Sequence, residues 1–194
     1  MKPDFKPVAD WIDKTYGVTT KNIIYDSFDI SDKGRQLRLR ICFEFKKEEL
    51  IFKEKAFGLD KNKQQAIAQQ FKNLLEIQED VWVVFSAFEP IARIEANEHI
   101  PENNIQVLKH SLNCSELWEI SRGFEGATFF LYTDDQVQKY EQSGTRQEWS
   151  IQYLELLKQY DEFNYFNRNN FSITLDSKEN FDKNYQSNWF YYYK

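Results

Sequence analysis

Residues 37–45 alternate without a break. Leu37, Leu39, Ile41, Phe43 and Phe45 are apolar, with Arg38, Arg40, Cys42 and Glu44 between them. Successive side chains of an extended strand point to opposite faces, so a period of two demands a sheet with one buried and one polar face. The preceding segment, 21–30, carries Ile23, Tyr25, Phe28 and Ile30 and reads as a second strand. Asp32-Lys33-Gly34 is a turn signal, and the two strands predict an antiparallel hairpin. Residues 49–57 are expected to add a further short strand.

Helical spacing appears elsewhere. Phe5, Val8, Ile12 and Tyr16 predict a helix over 5–16 that ends at Gly17. Asp60 is placed to cap a helix over about 62–77, whose stripe is Ala66, Ile67, Phe71, Leu74 and Leu75. The continuous apolar run Val81-Trp82-Val83-Val84-Phe85 reads as a central strand buried on both faces. Pro90 and Pro101 bracket Ile91 to Ile100, and this stretch is the candidate boundary between two halves. Leu117–Ser121 and Thr128–Thr133 predict a hairpin across Gly123-Phe124-Glu125-Gly126. Thr145 is placed to cap a helix over about 146–160, with Trp149, Tyr153, Leu156 and Leu157 on one face. Phe171–Leu175 reads as a strand, Asp176-Ser177-Lys178-Glu179 has capping-box spacing, and the closing aromatics read as a final strand. The expected class is α+β, a mostly antiparallel sheet with three or four helices packed on it. The chain, 1–194, is read as a single domain or as two closely packed halves, 1–89 and 102–194.

Composition narrows the function. The net charge is −6, which disfavours a nucleic-acid binder and suits a basic protein partner. Two cysteines in 194 residues make no disulfide framework. The opening residues carry no apolar leader, and no apolar run reaches the roughly 18 residues of a spanning helix. The expectation is therefore a cytoplasmic protein with no membrane and no nucleic-acid partner.

Few residue patterns point to catalysis. Glu44-Phe45-Lys46 is an E-x-K, and Asp29 or Asp32 precedes it on the paired strand. Metal-dependent nucleases use two carboxylates and a lysine to hold Mg²⁺ and activate water. The plainer reading is a solvated charge ladder of Arg38, Arg40, Glu44 and Lys46. Glu95, Glu98, His99 and His110 are the only histidine-bearing candidates for a metal, and the two histidines sit on either side of a loop. Cys114 has His110 near in sequence but no third, orienting group. Asp134-Asp135 is a candidate for a cation or a basic partner, and the plainer reading is a strand end that caps a turn. No catalytic residue, metal or other cofactor is assigned.

The segment 163–194 has a different character. It mixes rings with Asn, Asp and Glu and closes on Trp189-Phe190-Tyr191-Tyr192-Tyr193. Aromatic residues of this kind favour binding interfaces. The candidate partner-binding residues are Asp161, Glu162, Tyr165, Asp182, Tyr185, Trp189, Tyr191 and Tyr193. If the tail is a strand, Trp189, Tyr191 and Tyr193 share one face.

The run Asp176-Ser177-Lys178-Glu179-Asn180-Phe181-Asp182-Lys183-Asn184-Tyr185, followed by Asn188-Trp189, resembles the end of a bacterial family grouped as a domain of unknown function. The helix-to-strand passage from Phe71 to Phe85 is similar to the same layout, and together they span under half the chain. Where that family's preceding strand is rich in Asp and Gly, this chain has Phe171-Ser172-Ile173-Thr174-Leu175. The resemblance implies a non-enzymatic interaction protein, similar to the immunity partners of polymorphic toxins. The expected function is neutralising a basic cognate toxin by covering its active site. The alternatives are the nuclease-like site above and a structural subunit.

Overall fold

In the computed structural model, which describes residues 1–30, 34–54 and 58–194, the alternating segment is strand β2 (Gly34–Phe43). It lies in the middle of a three-stranded sheet. Strand β1 (Thr20–Ile30) pairs with it antiparallel, and β3 (Val81–Ala87) pairs with it parallel on the other side. The expected hairpin is present, although residues 31–33 of its turn, Asp32 among them, lie outside the described residues. The apolar run at 81–85 is an edge strand rather than a central one. Its Val83 is buried, while Trp82 on the opposite face is exposed. The side chains therefore divide by period two even though the sequence does not alternate in polarity.

The fold is α+β, and the chain forms two compact units, Met1–Ile91 and Ala92–Lys194. In the first, helix α1 (Lys6–Tyr16) ends at Gly17, whose φ of 68° is the left-handed turn that glycine tolerates without strain. Val8, Ala9 and Ile12 of α1 join Leu39, Ile41 and Phe43 in one buried cluster. The strand expected at 49–57 is not formed where it is described. Helix α2 (Lys46–Leu50) and a turn occupy its start, only an isolated bridge joins Lys53 to Leu59, and residues 55–57 lie outside the description. Glu48 explains the helix: its carboxylate accepts the backbone N–H groups of Thr19 and Phe45, both at 2.8 Å. Buried backbone donors need such partners, and a strand would turn that carboxylate away. Helix α3 (Lys61–Leu75) begins at Asp60, which accepts the Lys63 N–H at 3.1 Å as the sequence predicts.

Helix α4 (Phe88–Glu98) starts in the first unit and ends in the second. Pro90 falls in its first turn, where a missing N–H costs nothing, so the proline does not break it. Helix α5 (Glu102–Ser111) follows directly after Pro101. The second unit is built on another three-stranded sheet. Strand β5 (Gly126–Leu131) lies between β4 (Leu117–Gly123), antiparallel, and β6 (Thr174–Ser177), parallel. The predicted hairpin at 117–133 is thus formed. A helix, α6 (Asp134–Gln142), stands where Asp134-Asp135 predicts a strand end and turn, and it is capped reciprocally by Thr133 and Gln136. Helix α7 (Thr145–Leu157) packs Trp149, Tyr153, Leu154 and Leu157 with Ile105, Leu117, Ile120, Phe129 and Leu131.

The opposite face of this sheet is covered by the chain's end. Helix α8 (Lys178–Tyr185) is capped by Ser177, one residue later than the capping-box spacing suggested. The final aromatics form a single helical turn, α9 (Trp189–Tyr192), not a strand. Its N-cap is Asn188, which accepts the Phe190 N–H at 2.9 Å.

Candidate functional site

A helical turn sorts the tail's rings differently from a strand. Residues at i, i+3 and i+4 share a helix face. Trp189, Tyr192 and Tyr193 therefore turn toward the sheet together, with Trp189 still 37% exposed at its edge. Trp189 packs on Phe181 at 4.2 Å and on Phe130 at 5.3 Å between ring centroids, and Tyr192 meets Phe130 at 5.1 Å. Tyr192 donates a 2.6 Å hydrogen bond to Asp176, and Tyr193 donates one of 2.7 Å to Ser121. Phe190 and Tyr191 point the other way and are 68% and 47% exposed. The expected shared face of Trp189, Tyr191 and Tyr193 is thus corrected. Tyr191 lies opposite the other two.

The other predicted residues fall into two groups. Asp182 on α8 is exposed and ion-pairs with Lys178. That ammonium and the Ser187 hydroxyl hold its carboxyl below the usual range. Tyr185 is half-buried against Tyr192. Tyr185, Trp189 and Tyr193 belong to one ring assembly through Tyr192, while among the described residues the Tyr191 ring meets only that of Phe190, and Asp182 lies outside the assembly. Asp161 and Tyr165 are 7% and 8% exposed and do a structural job. The Asp161 carboxylate accepts the N–H groups of Tyr165 at 3.0 Å and Phe166 at 2.8 Å, which fixes a turn. Burial removes them from any contact surface. Glu162 beside them is exposed.

Beside the tail, a groove of about 540 Å³ runs along β4. One wall is aromatic: Trp118, which stacks on Trp189 with an interplanar angle of 7°, and Phe124, which is 66% exposed. A register shift between Leu117 and Glu119 lets Trp118 turn onto the tail's face. The other wall carries Asn97, Glu98 and Glu102 from the end of α4 and the start of α5, and Glu119 lies along β4 itself. Arg122 is committed to structure. Its guanidinium donates to the carbonyls of Asn97 at 3.2 Å and Ile100 at 2.5 Å and to the Glu102 carboxylate at 3.2 Å. It satisfies the carbonyls left open at the C-terminus of α4. Of the groove residues, the sequence marks only Trp189 as a partner contact, and Glu98 only as a metal candidate. A strand pattern does not say which strand ends a sheet.

Charge is divided unevenly between the units. Residues 92–194 hold ten Lys and Arg against sixteen Asp and Glu, while residues 1–91 hold fifteen of each. The whole net charge of −6 therefore belongs to the second unit.

The nuclease-like trio does not assemble. Asp29 is paired in register with Arg35 at one end of the β1–β2 hairpin, and the Glu44 N–H bonds the Thr19 carbonyl at the other. The nine steps of strand from Arg35 to Glu44 carry the two positions about 30 Å apart. Glu44 ion-pairs with Lys21, and Lys46 begins α2 and binds Glu49 at 2.6 Å. Of the predicted charge ladder, Arg38 and Arg40 both bind Asp26, at 3.0 and 2.9 Å. Among the described residues no three His, Cys, Asp or Glu side chains converge as a metal site, and His110 Nδ1 meets the Gln106 carbonyl at 2.6 Å. Cys114 lies 3.1 Å from the Tyr140 hydroxyl, which is itself 2.7 Å from Glu116. Among the described residues no helix is long and apolar enough to cross a membrane. Comparison of the chain with protein-family models, with curated proteins and with solved structures gives no match.

Proposed function

We propose that this chain is a non-enzymatic protein-binding protein, an immunity protein that neutralises a basic bacterial toxin by covering its active site. The observation that carries this reading is the coincidence of charge and rings in the second unit. All of the net negative charge belongs to the unit that also exposes the side chains of Phe124, Phe190 and Tyr191. Opposite charge steers association, and exposed aromatic clusters supply the desolvated contacts that dominate interface energies. An acidic surface also imitates the phosphates that a nucleic-acid-cleaving toxin would bind.

The test is co-expression of the full chain with the product of the adjacent gene. The reading expects a stoichiometric complex with a basic protein that weakens as salt rises. It also expects growth to be restored when that protein is toxic. Failure of the two products to associate, with toxicity unrelieved, overturns it.

A further inference from the structure

The groove beside the tail is also the open edge of a sheet. Strand β4 ends the order β4-β5-β6, and among the described residues no strand pairs with its outer side. Gly123 and Gly126 close the two-residue hairpin loop, so the backbone groups of Trp118, Ile120 and Arg122 face away from β5. Two of these outward groups are held by the chain's own side chains. Lys109 donates to the Trp118 carbonyl, and the Ile120 N–H donates to Glu119 Oε1 at 2.9 Å. Charged side chains at an edge of this kind keep the strand from pairing indiscriminately.

Resting on the protein-binding reading above, we propose that β4 takes an extended segment of the partner as an added strand, and that this segment alternates cationic with apolar residues. The alternation follows from the two walls. Side chains of an added strand point to opposite sides in turn. One row would lie over Trp118, Trp189 and Phe124. The other would lie against Glu98 and Glu102, of which Glu102 is 65% exposed despite its contact with Arg122. A second copy of this chain is a poor occupant. Pairing β4 with its own copy brings Glu98, Glu102 and Glu119 of two units, each of net charge −6, against each other.

The test uses the full chain and a capped decapeptide of alternating Lys and Val, with amide hydrogen exchange read residue by residue. Binding is expected to slow exchange at the Ile120 and Arg122 amides by at least about tenfold. A peptide N-methylated on the residues that face β4 keeps its charge but loses the ladder, and is expected to bind about tenfold more weakly. A Glu-for-Lys peptide is expected not to bind. Equal binding of the methylated peptide, protection confined to other amides, no binding, or a dimer of the free chain through β4 would each overturn the edge assignment. Those results leave the protein-binding reading standing, since it is decided separately by the co-expression experiment.

Discussion

The ring of Tyr193 packs against Gly123, so closely that a Cβ on Gly123 would sit 2.9 Å from Tyr193 Cδ1 and 3.0 Å from Cζ. The chain's last residues are thus fitted to the end of β4, and the groove's aromatic wall depends on that fit. Replacing Gly123 with Ala is expected to push the ring away, break its bond to Ser121 and cost about 1–2 kcal/mol. In a Tyr193→Ala background the same replacement should cost almost nothing. Urea denaturation of the four proteins of this cycle checks it, and additive costs would contradict the contact.

Asn97 is 1% exposed and joins three parts of the second unit. Its amide nitrogen donates to the carbonyls of Phe124 and Gly126 at 3.0 and 2.8 Å, and its oxygen accepts from the Tyr153 hydroxyl at 2.6 Å. Asn97→Ala removes both carbonyl bonds and leaves the buried Tyr153 hydroxyl without this partner, and is expected to cost about 2–4 kcal/mol. Tyr153→Phe removes one bond and should cost less. A wild-type denaturation midpoint for Asn97→Ala would contradict this account.

Burial pushes the phenols of Tyr153 and Tyr192 well above their ordinary value, and the Asp176 carboxylate adds to the effect on Tyr192. For Tyr140 the main causes are its hydrogen bonds to Cys114 and Glu116. A phenol whose folded pKa is raised favours the fold while it is neutral. That stability is complete below the unfolded value of about 10 and is lost as pH climbs from there toward the folded values. Stability is therefore expected to fall steeply above about pH 10. Tyr192→Phe should be less stable at neutral pH and should lose less on going alkaline. An identical alkaline slope in the variant would contradict the assignment.

The helical tail separates binding from folding. Phe190→Ala and Tyr191→Ala remove outward rings and should leave urea stability near wild type. Each is expected to weaken the partner complex by about 1–2 kcal/mol. Trp189→Ala should instead destabilise the protein by about 1–2 kcal/mol, because it removes the packing on Phe181, Phe130 and Trp118. Calorimetric titration and denaturation of the same three variants read the two effects apart.

Much of the fold could be read where local chemistry decides it. The alternation at 37–43, the Asp60 cap and the hairpin around Gly123 all appear as expected. The tail could not be read this way. Trp, Phe and Tyr favour strands, and beyond the local Asn188 cap it is packing on Phe181 and on Phe130, distant in sequence, that holds 189–192 as a helical turn. Helix α6 was legible through Thr133 and Gln136, a capping pair masked by the neighbouring aspartates. Asp161 looked like a surface charge because sequence does not show that its carboxylate faces two backbone amides. The groove was hidden for a different reason: being the last strand of a sheet is a property of topology, and Leu117–Gly123 reads the same in either position.

The most direct test of the central claim is the affinity of the full chain for the adjacent gene's product across a range of salt concentrations. Wild type is compared with a Glu98→Lys, Glu102→Lys variant. The account predicts a one-to-one complex whose affinity falls with salt, and falls about tenfold or more when the two charges are reversed at low salt. A complex indifferent to salt and to both reversals, or no complex at all, would contradict it.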